Sequence, residues 1–151
     1  MQRFSHSELP KGLYESVFGI EEYLKSCGFD QKLLGLMKFW VSQINHCVYC
    51  LDMHYKEAIA AGETELKLYS ISAWREAPYY SNKERAVLSY AEKLTLLSQN
   101  EVSDEDIENL GKFFSRKEIA NLTLAIAQIN TWNRLMDTFR FEPGKHRVNQ
   151  K

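Results

Sequence analysis

Apolar side chains recur at intervals of three and four residues along most of the chain, separated by short polar connections. This spacing places apolar groups on one face of a helix, and no convincing strand-like alternation interrupts it. The pattern runs longest after Ser115, where it comprises Ile119, Leu122, Ile126, Ile129, Trp132, Met136 and Phe139. The chain is therefore predicted to be all-α, with about six to seven helices in a single-domain bundle.

Residues that favour helix ends divide this pattern. Pro10 is predicted to open the first helix and Gly28 to cap it. The next predicted N-caps are Asp30 for a helix reaching Ile44, Asn45 for a helix over 47–61, and Thr64 for a short helix to about Trp74.

Serine followed three residues later by glutamate forms a capping box, which is typical of a helix N-terminus. Ser81 with Glu84 predicts a helix over 85–97, and Ser115 with Glu118 begins the longest helix. A further helix is predicted at 104–114. The polar tail, 142–151, is expected to be loosely held.

A length of 151 residues suits one domain, 1–151, with 44% apolar and 26% charged residues. The net charge of −1 gives no electrostatic footprint for nucleic acid or an anionic membrane surface. The N-terminus lacks the apolar stretch of a secretory signal, and the most apolar stretch, 33–41, is too short to span a bilayer. We therefore expect a cytoplasmic protein without nucleic-acid or membrane partners.

The main candidates for reactive side chains are Cys47, Cys50 and His54. At about 100° per residue, these three side chains fall within a sector of roughly 60° on one helix face. Two such thiols can close a local disulfide, and the imidazole one turn away can handle their protons. Cys27 stands apart and is expected to be an inert packing residue.

A metal site and a coincidental pair of buried cysteines are the alternatives. Structural zinc usually takes four ligands from paired modules. The other candidate ligands here, Cys27, His6, His46 and His146, are unpaired in the sequence. Redox chemistry is therefore favoured, with no metal.

The residues alone leave the reactive thiol open. A helix N-terminus would favour a Cys47 thiolate, whereas His54 lies closer to Cys50. Glu57, one turn beyond His54, could orient its imidazole or could be an ordinary solvated carboxylate. We lean towards Cys50 as the attacking thiolate and Cys47 as the resolving thiol.

Several spaced motifs resemble the AhpD-like alkylhydroperoxidases of the carboxymuconolactone decarboxylase family. The similarity is strong over 33–97 and weaker in the final helix. Its motifs are Ser42-Gln43-Ile44-Asn45, Cys47-x-x-Cys50-x-x-x-His54, Asp52-Met53-His54-x-Lys56-Glu57-Ala58, Gly62-Glu63-Thr64, Trp74-Arg75-Glu76-Ala77-Pro78 and Glu84-Arg85-Ala86.

The resemblance implies an all-α subunit that assembles into homotrimers or hexamers. It also implies a peroxidase cycle without a bound cofactor, in which Cys50 attacks a peroxide and Cys47 resolves the product as a disulfide. His54 would belong to the proton relay, and an external dithiol would reduce the disulfide.

Three positions depart from the family pattern. The relay glutamate expected twelve residues before Cys47 is Gly35, the arginine usual a little further on is Trp40, and the glycine before Cys47 is His46. Glu57 and His46 are the candidates to replace the missing carboxylate in the relay. If Gly35 faces the Cys–His stripe, a glutamate there could hydrogen-bond His54, so Gly35→Glu is expected to raise peroxidase activity with stability unchanged or improved. A variant that unfolds would instead show that Gly35 is buried against a neighbouring backbone.

Three functions compete. A thiol peroxidase acting in antioxidant defence is favoured. A non-catalytic redox sensor or oligomeric interaction protein is the main alternative, because the relay carboxylate is missing. Lactone decarboxylation is less favoured, since those family members do not depend on a Cys-x-x-Cys pair.

Overall fold

The computed structural model describes residues 1–148, which contain seven α-helices and no strand. The prediction of an all-α fold with six to seven helices is therefore confirmed. The helices are α1 (Leu13–Ser26), α2 (Gln31–Ile44), α3 (Val48–Ala60), α4 (Glu65–Tyr69), α5 (Asn82–Thr95), α6 (Asp104–Gly111) and α7 (Arg116–Phe139).

Helix α2 forms the centre of the bundle. Its side chains are apolar on most faces, and Leu36, Met37 and Val41 are completely buried. Helices α3, α5 and α7 pack around it, so that most of the core lies between these four elements. No helix within residues 1–148 is long and apolar enough to cross a membrane.

The strongest capping predictions are confirmed. Ser81 and Ser115 each form a capping box, and the Asp30 carboxylate accepts the Lys32 backbone N–H at 2.9 Å. A third capping box, Ser103 with Asp106, opens α6. These short polar motifs specify helix starts locally, so they can be recognised without knowledge of the tertiary structure.

Several boundaries differ from prediction, including those of α5, which was predicted over 85–97 and spans Asn82–Thr95. The first helix starts at Leu13 after a turn from Pro10, whose carbonyl accepts the Leu13 N–H. Helix α4 ends at Tyr69, and the chain continues as a 3-10 turn over Ile71–Ala73. Helix α6 ends at Gly111, three residues earlier than predicted.

The connection between α2 and α3 corrects the predicted N-cap at Asn45. Asn45 keeps helical dihedral angles and donates its N–H to Val41 O, so it terminates α2 instead. His46 then reverses the chain with a φ of 56°, and Cys47 becomes the N-cap of α3. Three residues thus join two helices, and one of them is a cysteine of the candidate site.

Part of the tail that was predicted to be loosely held contacts α3, at Gly144 and His146. The Gly144 N–H donates to the Asp52 carboxylate at 3.0 Å, and Lys56 Nζ donates to the carbonyls of Gly144 and His146. Alternating charges on the exposed side of α3 therefore hold the tail. The remainder of the predicted tail, 149–151, lies outside the described residues.

Candidate active site

Cys47 and Cys50 lie together in the first turn of α3, where it packs against α7. Both are buried and unbridged, and Met136 and Phe139 of α7 pack beside them. Cys50 is fully enclosed, whereas Cys47 retains 2% exposure. The thiols are therefore adjacent but differ in access.

The two thiols also differ in acidity. The Cys50 thiol donates a hydrogen bond to Cys47, which lowers the pKa of Cys47 against the opposing effect of burial. Donation of that bond and burial both raise the pKa of Cys50. The helix N-terminus adds positive partial charge at Cys47, although no side-chain capping hydrogen bond of ordinary geometry forms there.

A cavity of about 550 Å³ opens at Cys47. Apolar groups from Met136 and Phe141 and charged groups from Asp137 and Arg140 contribute to its lining. His46 also lines it, and within residues 1–148 the two non-glycine residues with positive φ are His46 and Arg140. Sparsely populated backbone conformations of this kind cluster at functional sites. This cavity is the route by which a small molecule could approach Cys47.

His54 and Glu57 are brought together as a hydrogen-bonded pair. His54 Nδ1 lies 3.0 Å from Glu57 Oε2. Burial lowers the pKa of His54, and the Glu57 carboxylate opposes this only in part. For Glu57, burial raises the pKa, but the His54 hydrogen bond and nearby positive charges outweigh it and the net pKa is lowered. A neutral imidazole donating from Nδ1 to a carboxylate leaves Nε2 as a base.

A second carboxylate, Glu21 of α1, also acts on His54. Its charge opposes the lowering of the His54 pKa, while Lys38 of α2 adds to it. Lys38 Nζ lies 3.5 Å from Glu21, and the indole of Trp132 donates to the other Glu21 oxygen at 3.0 Å. Glu21 could not be predicted from the sequence, because its proximity to His54 depends on how α1 packs in the bundle.

Asn133 of α7 was also not predicted as a site residue. This side chain is 1% exposed and donates to Ser42 Oγ at 3.1 Å, and it acts to lower the pKa of both Cys47 and Cys50, although the net pKa of Cys50 is raised. A sequence feature could have indicated it, since Asn133 interrupts the apolar stripe of α7 between Ile129 and Met136. An amide at a core position requires hydrogen-bonding partners.

The other predicted site residues divide between two environments. His46 is exposed and lines the cavity beside Cys47, whereas Glu57 contacts the buried His54. Their roles in a proton relay stay predictions, as do the separate roles of the two cysteines.

Gly35 lies where α2 crosses α3. A Cβ atom at this position would be 3.2 Å from Ala58 Cα and 3.3 Å from Ala58 Cβ. A side chain at this position would therefore press on the backbone of α3 unless the two helices move apart slightly. Gly35 faces the buried stripe of Cys50, His54 and Ala58, as expected, but this close contact opposes the expectation that Gly35→Glu leaves stability unchanged or improved.

The match of this chain to a known sequence family identifies its relatives. The sequence model of the carboxymuconolactone decarboxylase family matches residues 12–93, which is more than half of the chain. The chain belongs to this family of enzymes. The predicted resemblance is thereby confirmed.

Similar proteins agree with this assignment. The uncharacterised protein YdfG of Bacillus subtilis (strain 168) is 36% identical over 135 residues, covering 89% of this chain and 91% of YdfG. A protein of unknown function from Agrobacterium tumefaciens, for which an antioxidant-defence role as AhpD has been suggested, superposes with a TM-score of 0.88. It is 34% identical, and the match covers 99% of this chain and 100% of that one.

A more distant structure shows that the same fold persists at low identity. The peroxidase-related protein from Ralstonia eutropha JMP134, described as an AhpD core, gives a TM-score of 0.77 at 20% identity. The match covers 87% of this chain and 70% of that one. The fold is thus that of the AhpD-like proteins.

Proposed function

We propose that the protein is a thiol-dependent peroxidase that acts in antioxidant defence. One observation carries the proposal: Cys47 lines a cavity and lies beside a second buried thiol, Cys50, and the pKa of Cys47 is lowered. A thiolate is the form of cysteine that attacks peroxides. The suggested antioxidant role of the similar Agrobacterium protein is consistent with this chemistry.

The proposed cycle balances with a peroxide and a dithiol as its two substrates. A thiolate attacks one peroxide oxygen, the O–O bond breaks, and an alcohol or water leaves with a proton, while the sulfur becomes a sulfenic acid. The second thiol displaces water from that sulfur to form the Cys47–Cys50 disulfide. An external dithiol reduces the disulfide and is itself oxidised, and no bound cofactor takes part.

The order of the two cysteines can be assigned in two ways. The family resemblance makes Cys50 the attacking residue and Cys47 the resolving one. The burial of Cys50 and the cavity at Cys47 favour the opposite order. Treating each single variant, Cys47→Ser and Cys50→Ser, with one equivalent of peroxide separates the two, because only the variant that keeps the attacking thiol forms a sulfenic acid rapidly.

Within this proposal, His54 takes up or returns the protons of the cycle, and Glu57 replaces the carboxylate absent at Gly35. The 3.0 Å contact between the two side chains supports this arrangement. General acid–base assistance typically contributes 10²–10⁴-fold to a rate.

Steady-state peroxide consumption with a dithiol donor tests the function. We expect many turnovers per subunit, loss of turnover in Cys47→Ser and Cys50→Ser, and a disulfide within one peptide by mass spectrometry. Cys27→Ser is the matched control, because Cys27 lies at the end of α1 outside the site, and it should keep full activity. Turnover that survives both site variants would contradict the proposal.

A redox sensor is the second candidate, and the enclosure of Cys50 favours it because a buried thiol reacts slowly. The same assay distinguishes the two functions, since a sensor is oxidised once and a peroxidase turns over repeatedly. Comparing thioredoxin, glutathione and dihydrolipoamide as donors would identify the reductant.

We also propose that the chain forms a homo-oligomer, a trimer or hexamer. Large aromatic side chains remain exposed in the isolated subunit, including Phe18, Tyr23 and Tyr69. Aromatic residues are enriched at subunit interfaces. Light scattering that gives the subunit mass of 17.6 kDa at micromolar concentration would contradict this.

A further inference from the structure

The chain turns back onto α3 at Pro143 and Gly144, after the end of α7. Gly144 has a φ of 89°, the left-handed conformation that a glycine adopts when it follows proline in a type II turn. The turn brings residues 144–146 against three charged side chains of α3. This part of the tail therefore has a specific docking site on the helix that carries Cys50 and His54.

Two of the three charged side chains hold the backbone of the tail. Asp52 Oδ2 accepts the Gly144 N–H at 3.0 Å, and its Oδ1 lies 2.6 Å from Lys56 Nζ. Lys56 Nζ in turn donates to the carbonyl of Gly144 at 3.3 Å and to that of His146 at 3.2 Å. Because the backbone is bound at both of these residues, the His146 side chain has a defined position over α3.

The third charged side chain, Glu57, faces the imidazole of His146. His146 Nε2 lies 3.5 Å from Glu57 Oε1, which is within ion-pair distance. The same Nε2 atom is enclosed and has no hydrogen-bond partner of ordinary geometry within residues 1–148. Buried polar atoms in folded proteins are normally paired. A slight shortening of this contact would give Nε2 an acceptor, so the imidazole is directed at the carboxylate.

Glu57 consequently lies between two imidazoles. Its Oε2 is 3.0 Å from His54 Nδ1, and its Oε1 faces His146. The Glu57 side chain is 41% exposed, and a pair between such a carboxylate and a residue three positions earlier on the same helix is weak. A second contact on the other oxygen limits rotation of the carboxylate, which keeps Oε2 at His54.

We propose that His146 is a positioning residue, which holds the Glu57 carboxylate against His54 Nδ1. The proton of the neutral His54 ring then stays on Nδ1, because the hydrogen bond made by one ring nitrogen decides which of the two is protonated. Nε2 is left able to accept a proton. As a contribution to proton transfer this rests on the proposed function, but the arrangement itself exists in the resting protein.

The test is long-range ¹H–¹⁵N correlation NMR of the reduced protein at neutral pH, which distinguishes a protonated ring nitrogen from an unprotonated one. The chain has four histidines, and the spectrum of His54→Gln identifies the His54 signals by their absence. In the wild-type protein we expect His54 to be protonated on Nδ1.

We expect His146→Ala to raise the ratio of the Nε2–H to the Nδ1–H form of His54 by about tenfold, because the charged hydrogen bond at Nδ1 is lost when Glu57 turns to solvent. His146→Gln keeps an N–H donor and should restore the wild-type ratio. Asp52→Ala releases the tail backbone and should raise the ratio by a smaller factor. Lys145→Ala is the matched control in the same tail, since Lys145 pairs with Glu142, and it should change nothing.

A wild-type His54 that carries its proton on Nε2 would overturn the proposal, and so would an unchanged ratio in His146→Ala. An equal rise in the Lys145→Ala control, or a His146→Gln variant that behaves like His146→Ala, would have the same consequence. If His146→Ala does not fold, Asp52→Ala decides in its place. Because the NMR measurement requires no peroxide, absence of peroxidase turnover would contradict the proposed function alone, and the two proposals can fail separately.

Discussion

Helix α3 and the helices α5, α6 and α7 begin in different ways. Each of the latter three starts with a serine N-cap and a carboxylate three residues later, in a reciprocal capping box. Helix α3 instead starts at Cys47, after a residue in the left-handed conformation and without a side-chain capping bond. Serine is a favoured N-cap residue, so a cysteine at this position should stabilise the start of α3 less than a serine would.

The buried faces of α3 and α7 also differ. Its buried face consists of Cys50, His54 and Ala58, and the last of these contacts Gly35 of α2. The buried face of α7 is mainly aliphatic. Helix α3 is therefore held by packing against α2 and α7 and by the tail, whereas α5 and α7 are also specified by their own sequences. This difference is consistent with the proposal that residues of α3 take part in the chemistry.

The largest effect is expected from His54→Ala, which removes the buried base of α3. The rate of reaction with peroxide should fall by about 10²–10⁴-fold while the protein stays folded. Gln128→Ala is the matched control, since Gln128 is a buried polar residue of α7 that donates to the Val17 carbonyl. It should lower the melting temperature without slowing the reaction. A wild-type rate in His54→Ala would show that His54 takes no part in proton transfer during the reaction with peroxide.

Two glycine-to-alanine substitutions allow the space available at the crossing of α2 and α3 to be compared with that on an open helix surface. Gly35→Ala forces a Cβ against Ala58 and should destabilise the protein by about 1–3 kcal/mol, as overpacking does. Gly19→Ala, within α1, meets no atom within 4 Å and should stabilise it by about 1 kcal/mol.

Gly35→Glu should be more destabilising than Gly35→Ala, and it should not raise peroxidase activity. Thermal melts of the three variants measure the difference. Equal melting temperatures for Gly35→Ala and Gly19→Ala would show that the helices separate easily at this crossing.

Replacing the N-cap residue of α3 tests whether Cys47 stabilises the protein less than a serine would at the same position. Cys47→Ser introduces a favoured N-cap and should leave the free energy of unfolding unchanged or raise it by about 0.5–1 kcal/mol, while abolishing disulfide formation. Ser115→Ala removes the cap of α7 and should lower the free energy of unfolding by about 1 kcal/mol with the thiols unaffected. Urea denaturation of both variants gives the comparison. A marked loss of stability in Cys47→Ser would mean that the thiol itself contributes to the packing.

The sequence predicted those parts of the molecule that are specified locally. Capping boxes and apolar stripes define α5 and α7, and the spacing of Cys47, Cys50 and His54 indicates the site. What it could not predict depends on how helices meet. Asn45 was misassigned because either helix could have used it as a cap.

Contacts across the bundle account for the remaining omissions. Glu21 affects the pKa of His54 only because α1 packs nearby, and Asn133 affects the pKa values of the two cysteines only because α7 packs beside α3. The close approach of Gly35 to Ala58 depends on the crossing of α2 and α3. None of these relations has a fixed spacing in the sequence.

The smallest expected effect is a dependence of stability on pH that arises from α3. Burial lowers the pKa of His54 below its usual value of 6.5, so the unfolded chain binds a proton that the folded protein does not. Stability should therefore fall as the pH decreases below about 6.5, with a slope of at most about 1.4 kcal/mol per pH unit. The pKa of Glu57 is also lowered, from 4.5, so its contribution is lost only at still lower pH.

Thermal melts between pH 7 and pH 5 should therefore measure the contribution of His54 to the pH dependence of stability, separately from that of Glu57. His54→Gln can keep a hydrogen bond to Glu57 but does not titrate, so it should flatten the pH dependence over this range. Gln128→Ala, which removes a buried polar residue that does not titrate, is the control and should retain the wild-type slope. If the slope survives in His54→Gln, another group is responsible for it, and the buried imidazole of α3 would be protonated as readily in the folded protein as in the unfolded chain.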